Sequence, residues 1–186
     1  MMLSLTKQRT FAYLTCKRLY PNYAYFSRIY GFGNPEVLGE AMDYLYDNLF
    51  NEKIDKIKVA DLAKKIESNM PQPADYDTIL ASSALDACTA IIESTSFFSD
   101  NQPLRLENIS TMATDTVAMY IHDTNGLDPN TDINFQQKIN SNILMVKEIA
   151  IQKGIISYLS KIEILQPSDI DTLIHLQEDN VGSLRL

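Results

Sequence analysis

The residues with the most chemistry to offer crowd into one short stretch of the chain. Tyr20, Tyr23, Tyr25, Phe26, Tyr30 and Phe32 follow one another closely, with Phe11 and Tyr13 upstream and Arg18 and Arg28 flanking them. Aromatic walls carrying a few hydroxyls could line a small-molecule pocket. They could equally form a protein contact, where tyrosine and arginine are enriched, or a core corner in which every hydroxyl finds a partner. Asp86 is the second candidate. It lies between Leu85 and Cys88, close to an apolar stripe, and a partly buried carboxylate needs an arginine or a hydroxyl beside it. The candidate binding set is therefore Arg18, Tyr20, Asn22, Tyr23, Phe26 and Asp86, with Arg18 or Arg28 as an anion clamp. Asn22 also has a purely structural reading, as the cap of an aromatic helix that begins after Pro21.

Recognisable catalytic motifs are missing. The sequence holds no GxSxG elbow, no GxxxxGK[ST] loop, no HExxH and no cysteine cluster. Gly31-Phe32-Gly33 lacks a third glycine and follows no strand, so it reads as a turn. Of the two histidines, His122 reads as the cationic end of a helix. His175 and Glu178 stand at i, i+3, the reverse of the order di-iron bundles use. Cys16 and Cys88 each sit on an apolar stripe and read as small buried hydrophobes. No catalytic residue, metal ligand or cofactor is assigned.

Composition sets the limits. The chain has 186 residues, 45% hydrophobic and 22% charged, a net charge of −8 and a pI near 4.7. Those are globular values, and the length fits one domain over 1–186. The negative charge disfavours nucleic acid and anionic lipid. No apolar run approaches the ~20 residues that cross a bilayer, and the first residues show no signal pattern. The expectation is a cytoplasmic protein whose partner is a protein or a small molecule, with no nucleic acid and no membrane. A homodimer is a further expectation, since amphipathic helices and an aromatic patch suit a two-fold interface.

Helical periodicity must position all these residues, because strand alternation is nearly absent. The spacing predicts a helix over 4–19 ended by Pro21, then a short aromatic helix ended by Gly31. Asn34-Pro35-Glu36 starts the next, with Leu38, Met42, Leu45 and Leu49 inward. Further helices are expected over about 58–69, 77–98 (capped by Asp75 or Asp77) and 104–122. A long one begins near Asp132, carries Phe135, Ile139, Ile143, Val146 and Ala150 on its apolar face, bends or breaks at Gly154 and reaches about 165. A last helix runs from Pro167 to near Asp179. The fold class is all-α: a single-domain, bundle-like array of about seven to nine helices with no significant sheet.

Several segments point to a family. Arg18-Leu-Tyr20-Pro21-Asn22-Tyr23-Ala-Tyr-Phe26 with Gly31-Phe32-Gly33 resembles the YjaG family of bacterial proteins. So do Pro73-Ala-Asp75-Tyr-Asp77, Ala84-Leu85-Asp86-Ala87-Cys88 and the ending Asn180-Val181-Gly182. Ala81-Ser82-Ser83-Ala84 departs from the aromatic-proline pair expected there. The resemblance implies a helical, bacterial, cytoplasmic protein of a family classed as a domain of unknown function, and carries over no catalytic residues. Two readings follow. One is a non-enzymatic interaction or adaptor domain that uses the aromatic patch near residues 20–33. The other is a small-molecule-binding protein or enzyme with an inter-helix pocket lined by Tyr20, Tyr23 and Asp86.

Overall fold

The structure, a computed structural model, describes residues 3–178. Among them are eight α-helices, one short 3-10 turn (Pro73–Asp75) and no strand. The first helix corrects the sequence reading. It does not stop at Pro21 but runs unbroken as α1, Leu5–Tyr30. A proline inside a helix removes one backbone hydrogen bond and crowds the carbonyl four residues back, at a cost of ~3 kcal/mol. Here both Pro21 and Lys17, which owns that carbonyl, lie on the exposed side of the helix, where water can take the free acceptor. The opposite side buries Leu19, Tyr23 and Phe26 completely, so packing outweighs the proline. Gly31 then ends α1 in the left-handed conformation.

The next helices follow their capping residues. Asn34 caps α2 (Pro35–Asp47) by accepting from the Glu36 amide, and Asp55 caps α3 (Lys56–Glu67). In α4 (Ile79–Asp100) the cap is Thr78 rather than Asp75 or Asp77. Then come α5 (Pro103–Thr124), α6 (Phe135–Ser141), α7 (Ile143–Lys161) and α8 (Pro167–Glu178). The expected long helix from Asp132 is thus two helices. Asp132 accepts from the Asp128 amide in the preceding loop. Asn142 interrupts the chain in an extended conformation and caps α7 through the Leu144 amide at 3.0 Å. Gly154 lies inside α7 and does not break it. The break at Asn142 also changes which side of the helix faces inward. Ile143 is 74% exposed and Val146 47%, whereas Met145, Glu148, Gln152, Ile155 and Leu159 are buried. The pattern Asn180-Val181-Gly182 and the expected end at Asp179 lie outside the described residues.

Four long helices form the frame. Arg9 meets Phe98 and Cys16 meets Ala90, so α1 and α4 are antiparallel. Glu93 meets Arg105 while Asp86 meets Thr116, so α4 and α5 are antiparallel as well. Arg18 meets Glu148 and Lys7 meets Ile162, which sets α7 against α1. One core cluster draws on α1–α5, α7 and α8, and a smaller one joins Val117, Ile121, Ile139 and Met145. Arg9, 3% exposed, closes the C-terminal end of α4: it donates to the carbonyls of Phe98 (3.1 Å) and Asn51 (2.6 Å) and lies over the Phe98 ring. A cation there takes carbonyls that no helical N–H can reach.

Candidate functional site

Tyr23 and Phe26 of the aromatic segment are core, Tyr20 and Phe32 pack half-buried against it, and Tyr30 is exposed. Phe26 stacks near Tyr30 and meets Tyr76 and Phe32 edge-on, at ring separations of 5.0, 4.9 and 6.0 Å. Tyr23 is fully buried, and its hydroxyl donates to the Asn69 carbonyl at 2.9 Å. Burial pushes this phenol up to about 12. The same ring explains the glycine turn: a Cβ at Gly33 would stand 2.1 Å from the Tyr23 hydroxyl, and the residue has φ +69°. Gly31-Phe32-Gly33 and Tyr-Pro-Asn-Tyr are therefore two halves of one packing contact. Tyr20 donates to the Pro35 carbonyl at 3.3 Å. Asn22 is not a helix cap; it sits inside α1, 2% exposed, with an amide nitrogen that meets no protein acceptor within hydrogen-bond reach.

Arg18 is not at the surface to clamp an anion. Its guanidinium, 2% exposed, makes a two-pronged ion pair with the buried Glu148 of α7, at 2.5 and 2.8 Å. A polar chain continues from there. The Gln152 amide nitrogen donates to Glu148 (2.7 Å) and to the Ser110 carbonyl (3.2 Å). With both N–H groups so used, the Gln152 oxygen faces Ser110, whose hydroxyl donates to it at 2.5 Å. A carboxylate only accepts and an amide oxygen only accepts, so the ion pair fixes the direction of every bond in the chain as far as α5.

Asp86 belongs to neither group. Its carboxylate accepts from Thr116 of α5 at 2.8 Å. Burial pushes it up to about 6, helped by the charge of Asp115 and opposed by Thr116. The hydroxyls of Tyr20, Tyr23 and the carboxylate of Asp86 thus each serve a different partner. His122 lies edge-on to Phe135. The His175 ring reaches the Asp171 carbonyl at 2.7 Å, and the Glu178 side chain lies outside the described residues. Among the described residues no group of three or more His, Cys, Asp and Glu could hold a metal. Cys16 and Cys88 are free and buried, and burial pushes both thiols up to about 12.

A concave site lies elsewhere. An open pocket of about 260 Å³ forms between the start of α1, the start of α5 and the second half of α7. Leu3, Phe11, Leu106 and Ile156 make its apolar walls, and Gln8, Glu107 and Ser110 supply its polar atoms. Ser110 is also the last member of the buried polar chain, so the pocket floor is tied to the Arg18–Glu148 pair. Sequence reasoning missed Glu148, Gln152 and Ser110. A signal existed: Met145, Glu148, Gln152, Ile155 and Leu159 recur at helical spacing, which places two polar residues on one apolar stripe. The pocket itself has no local signal, because three separate segments build it.

Comparison with known proteins agrees with this architecture. The family model described as "Protein of unknown function (DUF416)" matches residues 1–183. The chain is 33% identical over 84 residues to "Uncharacterized protein YjaG" of Escherichia coli (strain K12), an alignment covering 45% of this chain and 42% of that protein. The figures are the same for the protein of that name from Salmonella typhimurium. The aligned stretch therefore spans less than half of these relatives. A crystal structure of a DUF416 family protein from Shewanella baltica OS155 is similar with a TM-score of 0.87 at 26% identity, covering 98% of this chain and 93% of that one. An all-helical chain whose fold follows that solved structure almost end to end, and whose sequence fits the family model over residues 1–183, belongs to the DUF416 family.

Proposed function

We propose that this protein binds a small, largely apolar molecule in the pocket between α1, α5 and α7, and holds it without reacting with it. The observation that carries the reading is the pocket itself: about 260 Å³ of open space walled by Leu3, Phe11, Leu106 and Ile156. Ligand sites are concave and mostly apolar, with a few placed polar groups, and this one has that composition. The pocket hydroxyl, on Ser110, directs its proton at an amide oxygen, which is no base, so it is not set up as a nucleophile. The interaction reading has less support, since Tyr23 and Phe26 of the aromatic segment are fully buried. Among the described residues no helix is long and apolar enough to cross a membrane. Two free, buried thiols suit a reducing compartment, and a cytoplasmic location goes with the proposal.

The test is methyl NMR of isoleucine-labelled protein titrated with octan-1-ol. Support is a saturable shift of the Ile156 methyl that disappears in Leu106→Trp, a variant that fills the pocket from its wall and whose melting temperature is checked alongside. An Ile156 signal that stays put up to the solubility limit of the alcohol overturns the reading.

A further inference from the structure

The buried polar chain does more than join helices, because it decides what the pocket floor can offer a ligand. Glu148 accepts from Arg18 and from Gln152. The Gln152 amide is thereby oriented with its oxygen toward Ser110, and the only proton on Ser110 is spent on that oxygen. Ser110 lines the pocket, and what its hydroxyl oxygen has left to offer a ligand is lone pairs. Glu107, exposed at the rim, is a carboxylate and presents only acceptors. Gln8 spends one N–H on the Leu3 carbonyl at 2.7 Å and keeps its second N–H and its amide oxygen. Among the described residues that line the pocket there is no lysine, arginine or histidine. A ligand head placed at Ser110 and Glu107 meets acceptors and a negative charge, on a chain whose net charge is −8.

Resting on the proposed binding role, we infer that the ligand is an amine: an ammonium group at Glu107 and Ser110, with an apolar body against Leu3, Phe11, Leu106 and Ile156. An ammonium brings three donors and no acceptor, so it matches the Ser110 lone pairs and the Glu107 carboxylate together. A carboxylate head would face like charge and leave the acceptors unpaired. The size follows from volume. A cavity of about 150 Å³ takes a benzene ring, so the pocket's 260 Å³ suits a chain of about eight carbons or a two-ring aromatic of similar bulk.

The experiment compares three probes of one chain length, octylamine, octan-1-ol and octanoate, by isothermal titration at about 0.15 M salt, where distant charges are screened. Octylamine is expected to bind tightest, and octanoate about tenfold or more weaker than octylamine. Glu107→Gln, an exposed change that leaves the core untouched, should weaken octylamine about threefold to fivefold and octan-1-ol less. Leu106→Trp should abolish binding of octylamine and octan-1-ol alike. Octanoate binding as tightly as octylamine, or octylamine unaffected by Glu107→Gln, overturns the amine assignment while leaving a binding pocket in place. Failure of all three probes removes the pocket as a site, and the amine assignment with it.

Discussion

Replacing Glu148 by leucine is the sharpest perturbation of the buried polar chain. The Arg18 and Glu148 side chains are 2% and 0% exposed, so neither charge can turn to water. Glu148→Leu removes the acceptor of two guanidinium contacts and of the Gln152 amide, leaving a buried cation without this carboxylate. Breaking a buried pair on one side costs about 3–5 kcal/mol. For a chain of this length each kcal/mol lowers the melting temperature by about 2–4 °C, so the expected fall is about 6–20 °C. The double variant Arg18→Met/Glu148→Leu roughly keeps the volume and removes both charges, and it should recover part of the loss, since a packed apolar pair is often as stable as the ion pair while the Gln152 N–H still lacks its Glu148 acceptor. Thermal and urea unfolding followed by circular dichroism measure both. A single variant within about 1 kcal/mol of the wild type, or a double variant no better than the single, refutes the reasoning.

Gly33→Ala should destabilise by about 2–4 kcal/mol, from the left-handed backbone and the overlap with the Tyr23 hydroxyl. Tyr23→Phe removes that oxygen and should rescue part of the loss. Gly31→Ala meets nothing within 4 Å, so it should cost only about 1 kcal/mol; urea midpoints separate the three. Asp86 titrates higher folded (about 6) than unfolded, where 3.8 is its ordinary value. The folded state therefore keeps a proton that the unfolded chain has lost, and stability falls as pH rises from about 4 to 6. Asp86→Asn should flatten that segment of the stability profile and raise stability at pH 7 by on the order of 2 kcal/mol; a destabilised variant at pH 7 contradicts this. Cys16 and Cys88 should resist a thiol reagent at pH 8 in the folded protein and react at once in denaturant, because the thiolate is the reactive form.

Much of the fold is readable from short-range patterns. Leu38, Met42, Leu45 and Leu49 stand at helical spacing and are all buried, and Asn34, Pro35 and Glu36 mark where their helix starts. Local rules failed where tertiary packing or solvent decided. Pro21 is a strong helix breaker in isolation, yet the exposure of its own position and of Lys17 makes the lost hydrogen bond tolerable. On α7 two apolar stripes compete, and Ile143 and Val146 lose because Glu148 and Gln152 have partners across the bundle. Of the candidate residues, Arg18 is tied to the pocket floor through a partner 130 positions away. Tyr20, Asn22, Tyr23 and Phe26 belong to the architecture of α1. Glu107 and Ile156 give no signal alone, since surface charges and single exposed hydrophobes are ordinary.

The most direct measurement is a crystal structure of the protein grown with octylamine. The account predicts a chain of density between Phe11, Leu106 and Ile156, with the nitrogen within hydrogen-bond distance of Glu107 and the Ser110 hydroxyl oxygen, which still donates to Gln152. An empty pocket at saturating amine, or a chain bound with its nitrogen away from Glu107 and Ser110, would contradict it.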